Sequence, residues 1–334
     1  MTEEPSASDQ PPAPTDLRRL PVIVISGPTG VGKSDTAIAV ALEAGGEIVN
    51  YDSIQIYRGF DIGSAKPSSE QRRAVPHHLF DIAEADESFH AAAFAEAARE
   101  ACTAIRRDGK VPILTGGTGF YLRALLAGLP EMPPADAAIR ERLRNISRFP
   151  RGRERLHRWL VTVDPGSGRR IAAADRHRLE RALEVYLVSG RPISSWRPPT
   201  ALSDERIRAC KFALTLERGR LNARIDARVD AMYSAGLIEE TDRLLVRYPP
   251  HCRPYGAIGY REALRFLGGE LSREAAIAET KRRTKAYAKR QMTWLRGERG
   301  VHWIDAEAGP GAAAERILAV WREHCEHASR PDPP

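Results

Sequence analysis

The stretch GPTGVGKS, Gly27 to Ser34, follows a short β-branched run at 21–26. It opens a segment, 33–44, in which Ala37, Ile38, Val40 and Ala41 recur at helical spacing. A glycine, four residues, then Gly-Lys-Ser between a strand and a helix is the signature of a phosphate-binding loop. Gly27, Gly30 and Gly32 let backbone N–H groups turn inward around phosphate oxygens, with Pro28, Thr29 and Val31 completing the cradle, and the helix N-terminus adds its dipole. Lys33 is placed to neutralise phosphate and the Ser34 hydroxyl to ligate Mg²⁺. Kinases, ATPases and enzymes that transfer no phosphoryl group all use such a loop, so it fixes what is gripped and leaves the reaction open.

The segments 47–51 and 111–115 read as two further strands, the second preceded by a helical stretch at 89–107 that Asp108 and Gly109 close. Alternating strands and helices predict an α/β fold with a parallel sheet, in which ligands bind beyond the carboxyl ends of the strands. Lys33, Asp52 and Thr118 all fall at such ends. Asp52, in NYDSIQIY, has three readings: the N-cap of the following segment, a Mg²⁺ ligand, or a general base. In TGGTGFYL, Gly116 and Gly117 permit close approach of a ligand, while Thr118 serves equally as the cap of a strand-to-helix turn.

The length of 334 residues suits about two domains, and 42 % hydrophobic with 28 % charged residues is ordinary for a soluble globular chain. Fifty-one Lys plus Arg against 44 Asp plus Glu favour a polyanionic partner. The cysteines, Cys102, Cys210, Cys252 and Cys325, are far apart and form no CxxC pair, which indicates neither a zinc site nor a disulfide framework. Residues 1–20 are rich in Pro, Ser and acids and read as a disordered tail without the apolar core of a signal peptide. No run approaches the roughly 18 apolar residues of a membrane helix, so the expected compartment is the cytoplasm and no membrane contact is expected.

The charge excess sits behind the loop. Residues 140–181 carry thirteen arginines against five acids, Glu141, Glu154, Asp164, Asp175 and Glu180. A helical segment at 178–189 and a second at 277–295 follow, the latter with Arg282, Lys285, Lys289 and Arg296 on one stripe and Tyr287, Ala288, Gln291 and Leu295 on the other. Such stripes suit solvation, or the phosphate backbone of a nucleic acid. On 221–232, Arg224 and Arg228 share a helix face that suits a diphosphate clamp, and Asp226 and Asp230 offer them simple ion pairs instead. In PYGAIGYRE, Tyr260 and Arg261 could stack on or hydrogen-bond to a base.

Taken in order, GPTGVGKS, NYDSIQIYRGFDIGSAKP, PHHLFDI, ILTGGTGFYLRALLAGL, DRHRLERALEVYLVSG, GAIGYRE and TKAYAKRQMTWLRG resemble the tRNA dimethylallyltransferase, or tRNA isopentenyltransferase, family over residues 21–305. Ser34 stands where many members have Thr, and Asn50 and Tyr51 precede the aspartate where others differ. The resemblance implies a P-loop NTPase-like core at 21–125 and 196–325, a helical tRNA-binding insertion at 126–195, and tails at 1–20 and 326–334.

It also implies that the loop grips dimethylallyl diphosphate rather than ATP. N6 of the adenosine 3′-adjacent to the anticodon, adenosine 37 of tRNAs reading codons that begin with U, attacks the prenyl carbon to give N6-isopentenyladenosine and diphosphate. Asp52 is then the base, Lys33 and Mg²⁺ hold the leaving diphosphate, Arg228 and Arg224 clamp it from the far side, and Thr118 contacts the adenosine or the leaving group. The target base must be flipped out to be reached. Asp52, Ser53, Ile54, Gln55, Thr118, Gly259, Tyr260, Arg261, Lys285, Lys289 and Arg290 of the core, with Arg140, His177, Arg178 and Arg181 of the insertion, are the tRNA contacts implied. A monomer suffices for this chemistry. A small-molecule P-loop kinase or NTPase leaves the basic rear half unexplained, and a noncatalytic RNA-binding module leaves the loop unexplained.

Overall fold

A computed structural model describes residues 21–196 and 207–328. The expected N-terminal tail lies outside the described residues, as do the last six positions, 329–334. The chain divides into two compact units, one made of 1–126 with 205–334 and the other of 127–204.

The first unit is built on a six-stranded sheet in the order β3-β2-β4-β1-β5-β6. Its strands are β1 (Val22–Ser26), β2 (Gly46–Asn50), β3 (His77–His78), β4 (Val111–Thr115), β5 (Ala209–Thr215) and β6 (Val301–Asp305). Every neighbouring pair is parallel, so all carboxyl ends lie along one edge. β1, β2 and β4 are buried at every position. Helices cover both faces of a parallel sheet, which is why these strands read as continuous apolar runs rather than alternating ones.

The helices α1 (Lys33–Ala44), α2 (Ser69–Ala74), α3 (Ala91–Arg107) and α4 (Gly119–Ala127) occupy the front half. α3 turns Phe94, Ala95, Ala98, Cys102 and Ile105 inward at three- and four-residue intervals, the stripe that marks a helix packed on a sheet. α5 (Ala137–Arg148), α6 (Gly152–Val163), α7 (Pro165–Arg170) and α8 (Arg176–Ser189) form the second unit around Leu143, Leu156, Leu160, Leu179, Ala182 and Leu183. The chain then returns through β5 to α9 (Arg218–Ser234), α10 (Leu237–Arg247), α11 (Tyr260–Leu267) and α12 (Arg273–Arg296), and after β6 to α13 (Pro310–Ala328). α13 therefore runs through 326–328, where a tail was expected.

The α/β class and the parallel sheet are as the sequence predicts, and 33–44 and 111–115 are matched residue for residue. β5 and β6 escaped notice. Lys211 interrupts the apolar run of β5, and β6 is an edge strand that leaves Trp303 44 % exposed, so neither carries the pattern of a buried strand. Among the described residues no helix is long and apolar enough to cross a membrane.

Candidate active site

Because the sheet is parallel, the loops leaving β1, β2, β4 and β6 open onto one edge, where with α9 and α12 they surround a cavity of about 500 Å³. The loop after β1 forms its floor. Gly32, the residue before α1, has φ 101°, a left-handed conformation that glycine adopts without strain, and no side chain caps the helix start. The first-turn amides thus remain available to an anion. Lys33 Nζ donates to the carbonyls of Gly27 and Pro28, both at 3.0 Å. Burial lowers the Lys33 ammonium to about 7, the like charge of Arg228 adds to this, and the Asp52 carboxylate opposes it. Ser34 is exposed to the cavity beside Asp35.

Asp52 follows β2. Its backbone N–H donates to Asn50 Oδ1 at 2.8 Å, while its own Oδ1 accepts the Ile54 N–H at 2.9 Å. Asn50 Nδ2 donates to the Leu79 carbonyl at 3.0 Å, so Asn50 fixes the turn that aims Asp52. Tyr51, fully buried, is hydrogen-bonded to Ser26 Oγ at 2.8 Å and ties the turn to β1. No helix follows Asp52, so Oδ1 caps a turn rather than a helix, and Oδ2 has no hydrogen bond among the described residues. Gln55, also lining the cavity, donates to the Ser64 and Ala65 carbonyls.

After β4, Gly116 and Gly117 pass close to this turn. A Cβ on Gly117 would lie 2.8 Å from Gln291 Nε2 and 3.1 Å from Asp52 Oδ2, so only glycine lets the three groups meet. Thr118 Oγ1 accepts the Ser53 N–H at 3.0 Å and donates to Ser53 Oγ at 3.2 Å. That hydroxyl is therefore engaged with the Asp52 turn, and Thr118 is not among the residues lining the cavity.

Arg224 and Arg228, from α9, line the cavity opposite the loop sequence in the chain but next to it in space, with Arg224 Nη1 3.4 Å from the Val31 carbonyl. The simple helix pairs open to them in the sequence do not form: Asp226 pairs with Lys285 and Asp230 with Lys281, each at 2.7 Å. Burial lowers Arg228, with Asp52 and then Asp35 opposing that effect. Two residues that sequence reasoning placed on a packing stripe also line the cavity. Gln291 Oε1 accepts the Thr29 N–H at 2.8 Å while its Nε2 donates to Gly117 O at 3.2 Å, and Tyr287 OH donates to the same carbonyl at 3.2 Å. Burial, then Asp52, raises the Tyr287 phenol. Their only sequence signal was polarity on a face otherwise apolar.

The expected RNA contacts separate into exposed and enclosed residues. Lys289 and Arg290 are exposed, with Arg290 over the Tyr287 ring, whereas Lys285 is committed to Asp226. Tyr260 is fully buried. Its hydroxyl donates to Glu240 at 2.6 Å and accepts the Gly63 N–H at 3.1 Å, which leaves no ring face open to a base. Gly259 is buried before it, and Arg261 pairs with buried Glu262. In the second unit, Arg140 and Arg181 both pair with fully buried Glu184 at 2.8 Å, and Arg181 also donates to Pro133 O. They hold that unit together, while His177 and Arg178 are exposed on α8.

A glycine-rich loop, the cations Lys33, Arg224 and Arg228 and the carboxylates Asp35 and Asp52 gather at the carboxyl edge of a parallel sheet, the arrangement of a P-loop protein. Residues 55–298 match the family model described as IPP transferase, and the chain belongs to that family. It is 46 % identical over 285 residues to a tRNA dimethylallyltransferase of Geobacter metallireducens, covering 85 % of this chain and 92 % of that one. A second, from Desulforudis audaxviator, is 44 % identical over 306 residues, covering 89 % and 96 %. The crystal structure of a tRNA isopentenylpyrophosphate transferase from Bacillus halodurans superposes with a TM-score of 0.67 at 35 % identity, covering 92 % of this chain and 98 % of that one. A eukaryotic dimethylallyltransferase, solved acting on tRNA, gives 0.75 at 28 % identity, covering 93 % and 80 %.

Proposed function

We propose that the protein transfers the dimethylallyl group of dimethylallyl diphosphate to N6 of adenosine 37 in tRNAs that read codons beginning with U. The observation that carries this reading is the Asp52 carboxylate, whose Oδ1 holds the Ile54 N–H and whose Oδ2 has no hydrogen bond among the described residues, in a cavity also lined by Lys33, Asp35, Arg224 and Arg228. Phosphate-binding groups alone suit any P-loop protein, but an alkylation at an exocyclic amine also needs a base. As the prenyl C–O bond breaks and the C–N bond forms, negative charge grows on the diphosphate. Lys33, the loop amides and the two arginines stabilise it there. The N6 proton passes to Asp52 Oδ2, which keeps the product from remaining an ammonium cation.

An exposed Ser34 hydroxyl next to Asp35 at the loop is a hard oxygen donor set that fits Mg²⁺. When bound, the ion supplies further charge neutralisation at the diphosphate. Thr118 acts through Ser53 to hold the turn of Asp52, and Asn50 does the same from the other side. The exposed Lys289, Arg290, His177 and Arg178 are available to RNA phosphates, and a monomer acting on tRNA in the cytoplasm suffices for the chemistry.

The test is transfer of labelled dimethylallyl diphosphate, with Mg²⁺ and no ATP, to an anticodon stem-loop carrying adenosine at its last anticodon position and the next. Label on the second adenosine is the expected result. No transfer to either the stem-loop or unmodified full-length tRNA, with ATP hydrolysis present instead, would overturn the assignment.

A further inference from the structure

At the edge of the sheet remote from the P-loop, three metal-ligating side chains converge. Cys210 lies near the start of β5, His302 near the start of β6 and His324 on α13, and one ligand atom of each lies within 4.8 Å of the others. Sheet register makes the first two neighbours: Phe212 pairs with His302, and Cys210, two residues earlier, projects from the same face. α13 packs on both strands and brings its imidazole to them, with the rings of His302 and His324 edge to face at 5.1 Å.

A backbone carbonyl orients the His324 ring. His324 Nδ1 lies 2.9 Å from the Val320 carbonyl, a distance at which Nδ1–H donates and Nε2 is left as the unprotonated nitrogen. A carbonyl fixing the tautomer in this way is the usual outer support of a metal-bound histidine.

We propose that Cys210, His302 and His324 bind a divalent transition metal of borderline softness, Zn²⁺ before others, with water as fourth ligand. Two imidazoles and one thiolate are a zinc donor set, in which ligand atoms stand about 3.3–3.8 Å apart in a tetrahedron. Closing the cluster from 4.8 Å needs about 1 Å of movement, which the exposed His324 side chain can supply. Binding breaks the Cys210 S–H bond, sends one proton to solvent and forms three dative bonds, with no change of oxidation state. The ion clamps α13 to the β5–β6 edge. Because the chemistry lies at the opposite ends of these strands, the clamp serves stability rather than prenyl transfer.

Untagged full-length protein, stripped with a chelator and kept in excess Mg²⁺, is titrated with Co²⁺ and then Zn²⁺. One equivalent of Co²⁺ should bind with a thiolate-to-cobalt charge-transfer band that Zn²⁺ abolishes, and Zn²⁺ should raise the unfolding midpoint. His324→Gln, at an exposed position, should weaken binding at least tenfold and remove the shift in midpoint. Cys210→Ser should lose the band and Cys252→Ser should keep it. Absence of the band in the parent protein, or a band of unchanged affinity in His324→Gln and His302→Gln, overturns the site whether or not Cys210→Ser folds.

Discussion

Gln291, near the end of α12, accepts the Thr29 N–H of the phosphate loop at 2.8 Å across 262 residues of chain. The same amide group donates to Gly117, so one side chain fixes the spacing between the β1 and β4 exits. Gln291→Leu keeps the volume and removes both bonds. We expect KM for dimethylallyl diphosphate to rise about tenfold, the equivalent of one lost hydrogen bond, with tRNA affinity unchanged. Steady-state kinetics with each substrate varied in turn checks this, and an unchanged KM would detach Gln291 from the loop's function.

Asp52→Asn preserves the Oδ1 acceptor that holds the Ile54 N–H, so the turn should keep its shape. Turnover should fall by about 10²-fold or more while tRNA binding is retained. Single-turnover measurement with saturating enzyme isolates the chemical step. Turnover within a factor of three of the parent would remove Asp52 as the base.

Lys33, lowered to about 7 by burial, titrates in the working range of the protein. Diphosphate favours its charged form, so binding above pH 7 draws in a proton. Affinity should therefore weaken by up to about tenfold per pH unit above 7 and level off below it, and Lys33→Gln should bind weakly without that slope. Calorimetry in two buffers of different ionisation enthalpy reports the proton taken up. The sign for stability is opposite to that of a salt-bridged lysine: between pH 7 and the unfolded value near 10.5, the unfolded chain holds the extra proton, so this group makes the free protein more stable as pH rises through that window.

Lys289 and Arg290 are exposed, whereas Lys285 is neutralised by Asp226. Replacing Lys289 and Arg290 by Ala should flatten the dependence of log K for tRNA on log salt by about two units, and Lys285→Ala by less than one. Filter binding across a salt series distinguishes them, and equal slopes for all three proteins would place α12 off the RNA.

Arg181→Ala leaves Glu184 buried with one fewer cation, so the 127–204 unit should lose about 3 kcal/mol. Limited proteolysis and chemical denaturation should show that loss without any tRNA present. A variant as stable as the parent, but impaired in tRNA binding, would return Arg181 to the RNA surface.

The division between what was legible and what was not follows the range of the interactions. The spacing of Gly27, Gly32, Lys33 and Ser34, the apolar runs of 22–26 and 111–115 and the stripe of α3 are local patterns, and local patterns prescribe elements. They fix the parallel sheet and hence that Lys33, Asp52 and Gly117 leave it on one edge. Arginine content carries less for the opposite reason: a charge count cannot tell that Arg140 and Arg181 pair with buried Glu184 while Arg178 is more exposed, nor can a Tyr-Arg pair reveal that Tyr260 is enclosed.

By itself, then, the sequence determined a glycine-rich loop of phosphate-binding spacing between β1 and α1 in a parallel α/β fold, because spacing and flanking periodicity are local properties. Tertiary structure alone brought Gln291 and Tyr287 into the cavity and showed how Arg224 and Arg228 reach it. Arg224 and Arg228 are about 190 residues from the loop, and Gln291 and Tyr287 about 170 residues from the Gly117 carbonyl they both bond. Their meeting depends on sheet order and helix packing, which arise from burial summed over the whole core and leave no mark at any single position.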